Sequence, residues 1–331
     1  MKYINNVIVF IAVLLFIFTT SLFLTNRLYF LFLEKDNETV ETSKDKITYI
    51  DFSDNYISSD NAKFVNGNLY INVGGNYNLT GILIDGTIYI DTSDNVILDL
   101  NNVKIENEMH EAINNRKSQK LIINCEKNTN NVISDGTNSK SSILSVGDIY
   151  LQGKGNLLIY GNGNGGITAT KGSIVIDDIN LYTIANMSAF IAYNQLIING
   201  GNILGFGNDL VQTISNLSTQ NTIFFNFDDK VLSNTNLSLV NEDNDNIITF
   251  ETLKDIKTIT FSSSKLKKGN YYLLGDFDCT DDSINGVYSN CEYEEFNRIK
   301  LGISDTFIVK DKNNWYGNMD LMINNDVLTP V

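Results

Sequence analysis

The chain has 331 residues, 24 of them basic and 39 acidic, giving a formal charge of −15. Arginine occurs only at Arg27, Arg116 and Arg298, and no basic stripe is visible, which excludes a nucleic-acid partner, since phosphates are met by clustered lysine and arginine. The length allows one large domain or two modest ones, and a hydrophobic fraction of 43% is enough for a core.

In chain order, the first element is apolar. No charge occurs between Tyr3 and Asn26, and Val7 to Leu24 is almost wholly hydrophobic, long enough to cross a bilayer as a helix. A cleaved signal peptide has a shorter apolar core and a small-x-small cleavage site. Thr19-Thr20-Ser21 is the one candidate for that site, and apolar sequence resumes at Leu28 to Leu33. Residues 1–33 are therefore expected to be an uncleaved single-pass anchor, with the rest of the chain on the extracytoplasmic side. The flanking charges (Lys2 on one side, Arg27 and Lys35 on the other) hardly orient it. Residues 34–46, "EKDNETVETSKDK", read as a solvated stalk.

From Ile47 onward the apolar runs shorten to three to five residues between Asn, Gly and Asp, and no helical period is sustained. Whole triplets of short strands then recur. "SILSVGD", "IYLQGKG", "NLLIYGN" (Ser142 to Asn162) is followed by "GITATKG", "SIVIDDI", "NLYTIAN" (Gly166 to Asn186). The third copy is "FIAYN", "QLIINGG", "NILGFGN" (Phe190 to Asn208). A period of 20 to 30 residues without helices is the mark of a β-solenoid, and three strands per period make a parallel β-helix whose neighbouring turns complete each other's core. The offsets place Ile174 over Leu196 and Ile176 over Ile198, and align Leu157, Leu181 and Ile203. Residues 47–246 are assigned to this helix, its regular part running from about Gly67 to Phe227. Residues 247–331, with antiparallel strands from about Ile247 to Val309, are expected to cover its C-terminal end, because an open end exposes unpaired strand edges.

The triplets also align asparagines: Asn156, Asn180 and Asn202 at one corner, and Asn162, Asn186 and Asn208 at the next. Asn tolerates the conformations that corners require, and stacked amides can hydrogen-bond along the axis. An asparagine ladder is expected at both corners.

Several segments carry a resemblance: "GGNYNLTGILIDGTIYIDTSDNVILDLNNVKIEN" (Gly74 to Asn107), "NNVISDG" (Asn130 to Gly136), "GDIYLQGKGNLLIYGNGNGGI" (Gly147 to Ile167), "TITFSSSKLKKGNYYLL" (Thr258 to Leu274) and "NGVYSNCEY" (Asn285 to Tyr293). Together they make the chain similar to the bacterial right-handed parallel β-helix carbohydrate-binding proteins, which bind cellulose and acidic sugars and carry calcium. The resemblance spans about two-thirds of the chain and implies a right-handed, single-stranded parallel β-helix with a polysaccharide partner. Tyr160, Tyr182, Tyr193 and Phe206 are the aromatics that could stack on sugar rings, although strand alternation places half of such residues in a core.

The chain departs from the family at the corners where Asp would ligate calcium. They read Asn164-Gly165-Gly166-Ile167, Ser188-Ala189-Phe190-Ile191 and Asn208-Asp209-Leu210. Asn208 and Asp209, and the adjacent pair Asp177 and Asp178, are the remaining calcium candidates, short of the six to eight oxygens the ion prefers.

A pectin-active lyase or hydrolase is the enzymatic alternative, since β-helices host both. A lyase needs a base such as Arg116 or Arg298, and a hydrolase needs converging carboxylates. No such constellation converges, and the single histidine, His110, reads as a corner residue, so the chain is expected to be non-catalytic. Cys279 and Cys291 flank a short loop and could close a disulfide in an oxidising exterior; Cys125 reads as a half-buried thiol. Two functions remain open: a tethered polysaccharide-binding protein, and an envelope or adhesion protein in which the stack is a spacer.

Overall fold

A computed structural model describes residues 47–209, 215, 217–279, 283–284, 286–288, 291, 295–301 and 304–317. The anchor and stalk expected in residues 1–46 lie outside the described residues. Among the described residues no helix is long and apolar enough to cross a membrane.

Six turns of three strands each wind into a parallel β-solenoid. The strands Asn68–Ile71, Gly75–Thr80 and Ile82–Ile84 make the first turn; Phe190–Ala192, Leu196–Ile198 and Gly201–Gly207 make the sixth. The three sheets so formed are called faces one, two and three, in chain order. Every second residue of a strand points inward, and the parallel register stacks like on like. Leu69, Ile88, Ile113, Ile143, Ile167 and Phe190 form one such column on face one. On face two Ile174 pairs with Leu196 and Ile176 with Ile198. On face three Leu157, Leu181 and Ile203 are aligned, all fully buried. Burying these β-branched and leucine side chains, each contributing about 1.5–3 kcal/mol, stabilises turns that could not stand alone.

The opening end is closed on two faces by short antiparallel strands: Tyr56–Ile57 pairs with Thr48–Asp51, and Ala62–Val65 with Asn68–Ile71. At the other end Ile256–Ser262 lies antiparallel against Gly201–Gly207, with Thr222–Val231 beyond it. Thr222–Val231 thus belongs with the C-terminal strands, and the solenoid proper ends at Gly207.

A second sheet, built on Asn236–Asn241, Asn246–Glu251 and Gly269–Gly275, is antiparallel throughout. It does more than cover an end. Its Leu237, Leu239, Phe250 and Leu273 pack with Leu158, Ile184, Leu204 and Phe206, the outward side chains of face three. The C-terminal sheet is therefore folded against the flank of the solenoid, and face three is covered on its outer side in the later turns, from Val132 onward. The strand sequences carry that signature: NLLIYG on face three is a nearly unbroken apolar run, whereas VILDL on face two alternates.

Candidate functional site

With the later turns of face three covered, faces one and two are the flanks left open along the whole stack. On face two the outward side chains fall into two axial rows. One is apolar: Ile97, Ile122, Tyr150, Val175 and Ile197 are in register across successive turns. Two residues further along each strand runs a polar row of Asn78, Asp99, Asn124, Gln152 and Asp177. Within it Asn124 Nδ2 donates to Asp99 Oδ1 at 2.8 Å, and Asn78 Nδ2 donates to Glu126 Oε1 at 2.9 Å. The Lys120 ammonium sits 4.2 Å from the centre of the Tyr150 ring. Burial, with the nearby Asp148 and Asp177 carboxylates, raises the Tyr150 hydroxyl above its ordinary pKa, so it stays a donor at neutral pH. These rows were legible as the second and fourth positions of VILDL and the third and fifth of KLIINC and DIYLQG, but nothing in the sequence showed that this flank, rather than face three, is the open one.

The polar row adjoins the corner leading to face three, where the first asparagine column stands. Asn156 Nδ2 donates to Asn130 Oδ1 (2.7 Å), Asn180 Nδ2 to Asn156 Oδ1 (2.9 Å) and Asn202 Nδ2 to Asn180 Oδ1 (2.8 Å). Ser263 Oγ from the C-terminal region donates to Asn202 Oδ1 at 2.8 Å and ends the chain of bonds. Asn130 extends the column by a turn beyond the three residues the repeats align. None of these asparagines has a positive φ; the left-handed corner positions are instead Asn102, Asn128 and Asp178. Asparagine is thus retained here for its amide, not for backbone tolerance. Asn180→Leu removes one donor and one acceptor of the ladder and should lower the unfolding free energy by about 1–2 kcal/mol; coincident denaturant midpoints for variant and parent would count against the ladder. The column closes on an open cleft of about 450 Å³ lined by Lys154, Asp178, Asn180, Asn199, Asn202 and Gln220, among others.

The second column is built differently. Asn186 Nδ2 donates to the carbonyl oxygens of Asn162 and Gly163, and Asn208 Nδ2 donates to the Asn186 carbonyl at 2.9 Å. Each amide thus ties its turn to the backbone below. Lys254, in the loop that follows the strand Asn246–Glu251 of the C-terminal sheet, donates to Asn186 Oδ1 at 2.5 Å. Beneath this corner lies Asp135, 2% exposed. Its carboxylate accepts from Ser139 Oγ and from the Asn162 N–H, and burial pushes its pKa up to about 6.

The four aromatics singled out in the sequence do not share a surface. Phe206 is buried, its ring centre 5.5 Å from that of Phe250. Tyr160 and Tyr182 are half-buried beneath the C-terminal sheet, and Tyr193 is exposed at the corner after face one. Face one has its own aromatic pair, Tyr70 and Tyr89, with ring centres 5.0 Å apart. The Arg116 guanidinium lies 3.7 Å from the Tyr89 ring centre and 3.4 Å from Asp91. Arg298 rests similarly on Tyr272, and His110 is exposed.

Of the calcium candidates, Asp178 is exposed and lies 3.5 Å from Lys154. The Asp209 carbonyl accepts from Ser188 and Thr258. Asn208 Oδ1 is buried without a hydrogen-bond partner, but one amide oxygen is far from a calcium cage. Among the described residues no group of three or more His, Cys, Asp or Glu converges. Cys279 and Cys291 are paired, with Cα atoms 5.5 Å apart. Cys125 is fully buried rather than half-buried, and burial pushes its thiol up to about 12.

A family described as carbohydrate-binding domain-containing protein matches residues 65–209, the span of the solenoid and both rows of face two. No curated protein matches the chain. Among solved structures, the polysaccharide lyase-like protein from C. thermocellum, solved as a gadolinium derivative, is similar over 51% of this chain and 72% of its own. The identity is 22% and the TM-score 0.39.

Proposed function

We propose that the chain is a non-catalytic polysaccharide-binding protein, tethered to a membrane by residues 1–33 with its domain on the outside of the cell, that lays a glycan along face two. The observation that carries this reading is the pair of axial rows. A sugar polymer presents C–H faces bordered by hydroxyls, and face two offers an apolar row beside a row of amide and carboxylate groups. Both rows repeat at the strand spacing of about 4.8 Å, so contacts recur along the axis as they do along a polymer. The carbohydrate-binding description of residues 65–209 supports the same ligand class. The winding is taken as right-handed, the hand that parallel crossovers adopt in nearly all cases.

The non-catalytic part rests on accessibility: among the described residues the one carboxylate with a shifted pKa, Asp135, is buried under Ser139 and Asn162, where a polymer cannot reach it. Calcium is not part of the proposal. At a charge of −15 the chain repels an acidic polymer over about 10 Å at 0.1 M salt unless a cation bridges the two.

Retention of the full chain on insoluble neutral glucan and on polygalacturonate, each with millimolar calcium and with chelator, tests the reading. Glucan retention is expected to be indifferent to both additions, while polygalacturonate should be retained only with calcium. Tyr150→Ala is expected to weaken glucan retention about tenfold, equivalent to roughly 1.4 kcal/mol. A folded chain retained by neither polymer would make the stack a spacer, and unchanged retention of Tyr150→Ala would move the ligand off face two.

A further inference from the structure

We propose that the opening end of the solenoid rests against a lipid bilayer of uncharged headgroups. The outermost strands of the three faces at that end are Tyr56–Ile57 on face two, Ala62–Val65 on face one and Ile82–Ile84 on face three. Each of them exposes an apolar side chain to the outside. Tyr56 is 55% exposed, Val65 38%, Ile82 49% and Ile84 71%, and Tyr49, one strand inward, is 52% exposed. Single exposed apolar residues need no explanation; a set that rims one end of a molecule does.

The contrast with the next turn is direct. Ile82 pairs with Lys104 and Ile84 with Glu106 in adjacent strands, and those two charges form a 2.8 Å ion pair. The same outward columns therefore change from charged to isoleucine at the last rung, while Leu83 between the isoleucines turns into the core. Tyrosines with free hydroxyls beside aliphatic side chains are the composition of a membrane–water interface, the phenols at headgroup level and the aliphatics deeper.

Two features select this occupant over another protein. The chain enters the described domain at Ile47, beside Thr48–Asp51 at this same end, and the preceding sequence holds the uncharged run from Tyr3 to Asn26. An anchor there would connect to the domain through Ile47, at this end. The charges then select the headgroup. Between residues 47 and 85 stand Asp51, Asp54, Asp60 and Asp85 against the single cation Lys63, so an anionic lipid surface is repelled and a zwitterionic one is not. The inference rests on the tether in the proposed function and is independent of the glycan.

The test uses the full chain in phosphatidylcholine vesicles with brominated acyl chains, which quench tryptophan on contact. The parent carries one tryptophan, Trp315, stacked on Phe224 among the strands at the opposite end, and serves as the internal reference. Ile84→Trp is expected to be quenched at least about twofold more than Trp315 alone, as befits a side chain a few ångströms into the interface. Ile82→Trp repeats the measurement if the first variant loses its β-sheet circular dichroism. A chain that floats with the vesicles yet shows equal quenching overturns the inference and leaves the tether standing; a chain that does not float overturns both. Cross-linking of Ile84→Cys between chains, without quenching, assigns the end to a second copy and also overturns it. Vesicles of anionic lipid are expected to quench less, and equal quenching there overturns the headgroup assignment.

Discussion

Phe206→Ala is expected to lower the unfolding free energy by about 3–5 kcal/mol, the usual cost of truncating a buried phenylalanine. The ring is 3% exposed, faces Phe250, and belongs to a cluster with Leu204, Ile223, Phe225 and Ile259. Removing it forfeits the transfer energy of the ring and leaves a cavity between face three and the C-terminal sheet. That cavity cannot collapse fully, because the strand beneath is fixed by its pairing with Ile179–Ala185 on one side and Ile256–Ser262 on the other. The C-terminal sheet should consequently become the first part open to proteolysis. Denaturant melts and limited digestion check both statements, and a midpoint equal to the parent's would show that the sheet does not depend on this contact. Glycan retention, measured well below the melting transition, should be unchanged. A fall in retention without a fall in stability would return Phe206 to the role of a sugar-stacking aromatic.

Asp135 should make the protein more stable as the pH falls from about 6 to about 4. The cause is burial, only partly offset by hydrogen bonds from the backbone of Asn162 and Gly163 and from Ser142. The folded-state pKa is about 6, against about 3.9 for an unperturbed aspartate. Between these two values the folded chain holds a proton that the unfolded chain releases, so stability falls as pH rises through that window. At about 1.4 kcal/mol per unit, the ionised carboxylate costs up to about 3 kcal/mol above pH 6. Lys254 lies close enough to be stabilised as a cation by Asp135 while burial lowers its own pKa, so some of the cost is recovered through the C-terminal sheet. Asp135→Asn should flatten the profile between pH 6 and 4 relative to the parent. Unfolding free energies measured across that range decide it, and parallel profiles would show that Asp135 titrates as it does in the unfolded chain.

The columns of the solenoid are written in the sequence because each turn must match its neighbours. Parallel register places residues one repeat apart side by side, so equivalent residues meet. That is why the spacings alone placed Ile174 over Leu196 and Asn180 between Asn156 and Asn202. The pairing of Cys279 with Cys291 was legible for a similar reason, being nearly local in the chain. Alternation likewise separates inward from outward side chains, but an outward side chain can meet water or another sheet, and local sequence does not say which. On face three it meets strands from Asn236 onward, so Tyr160, Tyr182 and Phe206 lie under cover. On face two the outward Ile122, Tyr150 and Gln152 remain at the surface, only partly buried. Which flank is left to bind a ligand was decided by where a distant segment of the chain found an apolar surface to bury, and only the tertiary structure contains that choice.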